Sequence, residues 1–267
     1  MSEQAVLLEH PQPAIAVLRL NRPQALNALT LTMVEDITAT LSKLRQCATT
    51  RVLVLTGEGR GFCAGMDIAA PDNSVRDIGI IPAKVRTQDA FSAMIKAVRA
   101  LEQPVVAAVN GPAAGAGMAL ALAADIRIAS STSKFLIAAI KLGLTAGECG
   151  ISYHLPRLIG ASRAFEIMLT GRPISAEEAE KTGLVSRLVE PDATLETALE
   201  IARAILGNSP HAIRETKKLM WQNLDANSLE TAVALENQTQ IIASMTEDFT
   251  EATTAFVQKR PPVFSGR

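Results

Sequence analysis

Two short glycine-rich segments restrict this chain more than any other feature: GFCAGMDI at residues 61–68 and NGPAAGAG at residues 110–117. Each follows a strand-like run and leads toward a helix. Glycine permits positive φ and lets another backbone or a ligand approach the main chain closely. Two such turns can therefore aim two backbone N–H groups at one point. A convergent pair of N–H donors is what an acyl carbonyl needs when its oxygen takes up negative charge. The segments predict a site that stabilises an enolate or oxyanion.

The pattern around these turns sets the fold class. Residues 14–20 (AIAVLRL) read as a strand ended by Asn21, Arg22 and Pro23. Leu31, Val34, Ile37, Leu41 and Leu44 recur at spacings of three and four, which predicts an amphipathic helix. Residues 51–56 and 105–109 read as short buried strands, 115–124 as a helix and 126–129 as a returning strand. This alternation predicts an α/β core with crossover connections. Residues 70–90 break it: Pro71, Asp72, Asn73, Ser74, Gly79 and Pro82 predict a long polar loop, read as a lid over a substrate tail. Beyond residue 160 the chain reads as helical. Ser175 with Glu178 predicts a capping box, and Ser209-Pro210 an N-cap with proline at the first helical position. Residues 246–260 predict a last helix, stopped by Pro261 and Pro262. The expected division is an α/β core over 1–190 and a helical part over 191–267.

Lys and Arg number 26 against 27 Asp and Glu, a net charge of -1. That balance gives no electrostatic case for nucleic acid or an anionic membrane surface. The apolar share is 48% and the aromatic share only 3%, so Ala, Leu, Ile and Val must fill the core. Cys47, Cys63 and Cys149 are widely spaced with no CxxC pair, which indicates neither a zinc site nor a disulfide framework. A reduced, cytoplasmic setting is the expectation. The first ten residues carry Glu3 and Glu9 and no basic run, so no secretory signal is expected. The apolar stretch near 105–129 is broken by Asn110, Pro112 and Asp125. It reads as buried strand, turn, helix and strand, not as a membrane span.

Across nearly its whole length the chain resembles the enoyl-CoA hydratase/isomerase, or crotonase, family. The resemblance rests on Leu20-Asn21-Arg22-Pro23 with Ala25-Leu26-Asn27-Ala28-Leu29, and on Phe62 to Asp67. It continues in Gln103 to Gly111, Ala123 to Ala129, Leu155 to Gly160, Leu169 to Arg172 and Ala176 to Ser186. It implies a crotonase-like (ClpP/crotonase) spiral of repeated ββα units with a helical C-terminal trimerisation region. It implies an acyl-CoA thioester substrate, no metal and no cofactor beyond the coenzyme A of the substrate, and a homotrimer or homohexamer. It places the oxyanion donors on the backbone N–H groups of Met66 and Ala116, the latter usually a glycine in the family. By the same resemblance Ala64, Asp67 and Ile68 line the CoA path. Phe256 and Lys259, three residues apart on the last helix, reach the CoA of a neighbouring subunit.

Two positions depart from the family pattern. The two glutamates that hydratases of this family use for general acid/base work fall at Ala119 and Ala139 here. A methyl group cannot move a proton. One acid remains nearby, Glu148, where isomerase-type relatives place a catalytic Asp or Glu. A single carboxylate suffices for a 1,3-proton shift while an oxyanion pair holds the dienolate. The competing role for Glu148 is structural: a cap for the next helix, or an ion pair with Arg157 or Arg163. Three functions stay open: an isomerase using Glu148, a hydratase recruiting another acid such as Asp72, Asp77 or Asp89, and a catalytically weak acyl-CoA binding protein. His154 and Asp125 read as structural, Asp67 as a residue that can fix its turn, and Cys63 and Cys149 as packing. A dinucleotide-binding reading fails because Gly111, Gly115 and Gly117 lack the GxGxxG spacing.

Overall fold

A computed structural model describes residues 4–70 and 74–267. The chain starts with an antiparallel pair, β1 (Val6–Gln12) and β2 (Ile15–Leu20), followed by α1 (Leu31–Arg45) and β3 (Val52–Gly57). Helices α2 (Ser74–Ile78) and α3 (Ile80–Arg99) lead to β4 (Val105–Val109). Then come the short β5 (Ala113–Ala114), α4 (Ala116–Ala123), β6 (Ile126–Ser130) and β7 (Lys134–Leu136). The remainder is α5 (Ile151–Ile159), α6 (Ala161–Thr170), β8 (Ile174–Ser175), α7 (Ala176–Lys181), β9 (Arg187–Val189), α8 (Thr194–Leu206), α9 (Pro210–Asn223), α10 (Leu229–Ala243) and α11 (Glu247–Gln258).

The main sheet runs β1-β2-β3-β4-β6-β9, and every pairing after β1/β2 is parallel. All positions of β3 and β4 are buried, as a parallel sheet covered on both faces requires. Alternate side chains divide the core. Ala16, Leu18, Leu53, Leu55 and Ala107 face α1, α3 and α4, whereas Ile15, Val17, Val54, Val106 and Ile128 meet Ala198, Leu199 and Ala202 of α8. Helix α8 thus covers the back of the sheet although it lies beyond residue 190. A second sheet, β5-β7-β8, sits beside the front layer.

The expected long loop over 70–90 is corrected. Residues 71–73, including Asp72, lie outside the described residues, but 74–99 form two helices. Helix α3 buries Phe91, Met94, Ile95 and Val98 and packs along α1. Gly79 starts it with φ 83°, and Pro82 falls in its first turn, where no intrahelical N–H is required. The polar run is a helix start, not a loop. Ser175 does cap α7, accepting from the Glu178 N–H at 3.2 Å, but the Glu178 carboxylate turns to Arg172, so only half of the capping box forms. The last helix ends at Gln258. Lys259 follows it with φ 53°, so Phe256 and Lys259 do not share one helix face. Among the described residues no helix is long and apolar enough to cross a membrane.

Candidate active site

The two glycine-rich turns are stitched together by backbone. Phe62 N–H and Cys63 N–H both donate to Pro112 O at 3.1 Å, and Ala114 N–H donates to Cys63 O at 2.9 Å. The glycines make this contact possible. A Cβ on Gly65, whose φ is 89°, would stand 2.7 Å from Ala114 O and 3.5 Å from Ala116 N. A Cβ on Gly117 would run into Cys63 O and lie 2.7 Å from Cys63 Cβ, and one on Gly111 would strike Arg60 O. A side chain at any of these positions would push the turns apart.

The turns leave two N–H groups unspent. Leu29 bridges to the first turn on both sides of Met66: Leu29 N–H donates to Gly65 O at 2.8 Å and Asp67 N–H to Leu29 O at 2.9 Å. Met66 N–H is skipped by this pattern and makes no backbone hydrogen bond among the described residues. Ala116 is the first residue of α4 and has no intrahelical acceptor for its N–H. Gly115 takes the positive φ of 49° at this turn, so Ala116 carries its Cβ without strain. The α4 dipole adds to the positive potential at its N–H.

Polar side chains brace the first turn. Asn27 is fully buried at φ 57°; its Nδ2 donates to Gly61 O at 2.8 Å and to Glu58 O at 3.0 Å, and its Oδ1 accepts from Arg22 N–H at 2.8 Å. Asn110 Nδ2 donates to Gly59 O at 2.8 Å. Arg22 bonds Ala28 O and pairs with Asp67 at 2.9 Å, which holds the Asp67 carboxyl below the usual range. Asp67 Oδ1 also accepts from Ala69 N–H at 3.2 Å, so its side chain fixes the turn. Arg22 and Asn27 stood inside family blocks of the sequence, yet their bracing work comes from contacts that spacing cannot show.

Glu148 precedes α5, and its carbonyl accepts from Ile151 N–H at 2.8 Å. Its carboxylate stands over Gly115: Oε1 is 3.3 Å from the point that a Cβ there would occupy. Partial burial pushes its pKa up. The structural partners considered for it are engaged elsewhere. Arg157 pairs with Asp225 at 3.2 Å, Arg163 lies 3.9 Å from Glu178, and Gly150 is the N-cap of α5. Among the described residues no side-chain hydrogen bond or ion pair engages the Glu148 carboxylate. Ala119 is fully buried one turn into α4, its N–H donating to Gly115 O at 2.9 Å, and Ala139 is buried at the start of a 3-10 turn. Both present only methyl groups.

Ala64 and Ile68 are exposed along the first turn, beside Met66. Phe256 and Lys259 are exposed at the end of α11, and no hydrogen bond or ion pair among the described residues joins them to this turn. Cys63 is fully buried and its thiol is pushed up to about 12 by burial; Cys149 rises to about 11 through burial and the charge of Glu148. Both are held as neutral thiols, poor nucleophiles. Asp125 locks α9 to the sheet, accepting from Val105 N–H at 2.7 Å and Trp221 Nε1 at 2.7 Å, and pairing with Lys217 at 2.9 Å. His154 is buried beside Trp221.

The sequence and the fold are matched by known proteins. Residues 10–267 match the family model described as enoyl-CoA hydratase/isomerase. A probable enoyl-CoA hydratase of Mycobacterium tuberculosis is 44% identical, with 97% of this chain and 92% of that protein covered. The crystal structure of a probable enoyl-CoA hydratase/isomerase from Mycobacterium abscessus is 41% identical, superposes with a TM-score of 0.92, and covers 99% of this chain and 100% of its own. That of a monofunctional enoyl-CoA isomerase from Mycobacterium smegmatis is 44% identical with a TM-score of 0.73, covering 86% and 98%.

Proposed function

Because the chain belongs to the enoyl-CoA hydratase/isomerase family, we propose that it moves a double bond within an enoyl-CoA thioester, with Glu148 as the proton carrier. It is an enzyme of that family acting on acyl-CoA. The observation that carries the finer reading is the position of Glu148 over Gly115, next to the Ala116 N–H. In this reading the thioester oxygen accepts from Met66 and Ala116 N–H. The Glu148 carboxylate removes a proton from C2 of a 3-enoyl group. The negative charge passes to the oxygen as a dienolate. The protonated Glu148 then returns the proton to C4, and the double bond comes to rest between C2 and C3. No electron leaves the substrate and no water is added, so the chemistry calls for neither a redox cofactor nor a metal. A carboxyl poised above the usual range suits both halves of that transfer.

Hydration remains the second reading, since the Mycobacterium tuberculosis relative is named a probable enoyl-CoA hydratase. The methyls at Ala119 and Ala139 weigh against a two-carboxylate route. Incubation with 3-enoyl-CoA and 2-enoyl-CoA separates the two. Isomerisation that disappears in Glu148→Gln supports the first. Hydration that survives the substitution overturns it.

The reading extends to assembly as a homotrimer or homohexamer. Met220, Leu224, Ile241, Ile242, Met245 and Phe249 are exposed along the segment from α9 to α11, apolar surface that a second copy would cover. Phe256 and Lys259 would then serve the CoA of a neighbour, with Ala64, Asp67 and Ile68 along the path in the same chain. Sedimentation at assay concentration tests the assembly, and a monomer would remove this support.

A further inference from the structure

A cavity of roughly 530 Å3 opens beside Cys149 and Gly150, the two residues that follow Glu148. Helix α3 supplies Lys96 and Arg99 to its wall, and α5 supplies Tyr153 and His154. Its volume suits a short acyl chain or a small ligand. Cys149 and Gly150 follow Glu148 directly in the chain, which sets the cavity beside the site above.

The charge in this region is one-sided. Arg99, Arg127 and Arg157 all act on His154, and burial together with these cations holds its imidazole down to about 4. Among the described residues two acids act on Arg99, and both are engaged. Asp125 serves Val105 N–H, Trp221 and Lys217. Asp225 accepts from the Tyr153 hydroxyl at 2.5 Å and from Arg157 at 3.2 Å. Arg99 lines the cavity, stacks on the Trp221 ring and makes no hydrogen bond among the described residues. A guanidinium fixed in place by an aromatic face, with its donors unmatched, is a poised carboxylate receptor. His154, neutral and beside it, offers a further polar edge.

We propose that this cavity receives the far end of the acyl group and that Arg99, helped by Lys96, selects thioesters whose chain ends in a carboxylate. The substrate class is then a dicarboxylic acid held as its mono-CoA thioester. This rests on the acyl-CoA reading above and adds to it the identity of the distal group.

Calorimetric titration of the full-length protein with adipoyl-CoA and hexanoyl-CoA tests it, because saturated thioesters bind without reacting. Adipoyl-CoA should bind about tenfold more tightly, the worth of one charge-assisted contact. In Arg99→Gln the ratio should fall to within about twofold of unity. Because Arg99 supports Trp221, Lys96→Met at the exposed mouth is a second variant, in which the ratio should shrink by about threefold. Equal affinities in the wild type, or a preference unchanged in both variants, would overturn the proposal and leave the acyl-CoA reading intact. Free adipate competing as well as adipoyl-CoA, with the same dependence on Arg99, would overturn it in favour of a separate anion site. Binding of neither thioester would overturn the acyl-CoA reading and this proposal with it.

Discussion

Glu148 stands over Gly115, its Oε1 3.3 Å from where a Cβ on that glycine would lie. The glycine that turns the chain into α4 therefore also lies under the carboxylate of Glu148. Glu148→Gln should lower kcat by about 100- to 10,000-fold, the range for a lost general base. The rate in the wild type should fall as pH drops through the raised pKa of Glu148, so the acid limb of the kcat profile should sit above the ordinary carboxylate range. Stability moves the other way. A carboxyl whose folded pKa is raised stabilises the fold below its unfolded pKa, and that contribution is lost as pH rises through the folded value. Glutamine is neutral throughout, so the variant should melt at or above the wild-type temperature at pH 7, measured by calorimetry.

Gly65→Ala tests the stitching of the two turns. The new methyl would stand 2.7 Å from a carbonyl oxygen at φ 89°. Neither strain nor clash can relax without separating Met66 from Ala116. A loss of about 2 kcal/mol or more in urea unfolding is expected, with activity falling further than stability.

Ala116→Pro isolates the second donor. Proline is tolerated at the first position of a helix, where the N–H has no intrahelical use. It removes the hydrogen and places Cδ where the thioester oxygen would sit. The melting temperature should shift little, while kcat/KM drops by about 100-fold or more.

His154→Leu addresses acid stability. The imidazole titrates near 4 in the fold, against about 6.5 unfolded. It contributes stability above pH 6.5 that is lost as pH falls toward 4, because only the unfolded chain takes up the proton there. The loss is at most roughly 3 kcal/mol. Urea unfolding at several pH values should show a shallower acid decline in the variant than in the wild type.

Strands β2, β3, β4 and β6 of the main sheet and helices α1 and α4 were legible because their signals are local: alternating or continuous apolar runs, and apolar spacings of three and four. Helix α3 was not, since Gly79 and Pro82 are punctuation in most contexts and here merely begin a helix whose large buried side chains start later, at Phe91. The close contact of the two glycine-rich turns could be read from their glycines. The support given by Asn27 and Arg22 could not, because it is made of hydrogen bonds to the Asp67 carboxylate 45 positions away and to the Gly61 carbonyl 34 positions away. The Arg99–Trp221 stack joins α3 to α9, and no sequence period links those positions.

The rungs from Phe62 and Cys63 to Pro112, and from Ala114 to Cys63, set a kinetic signature for the whole site. A thioester held by Met66 on one turn and Ala116 on the other would clamp both sides of that short ladder at once. The amide of Ala114 would then exchange its hydrogen for deuterium more slowly in step with that of Cys63, though neither touches the ligand. Isotope uptake at two amides hidden from solvent would report occupancy of the hole, and a fragment lacking either turn would have no such pair to slow.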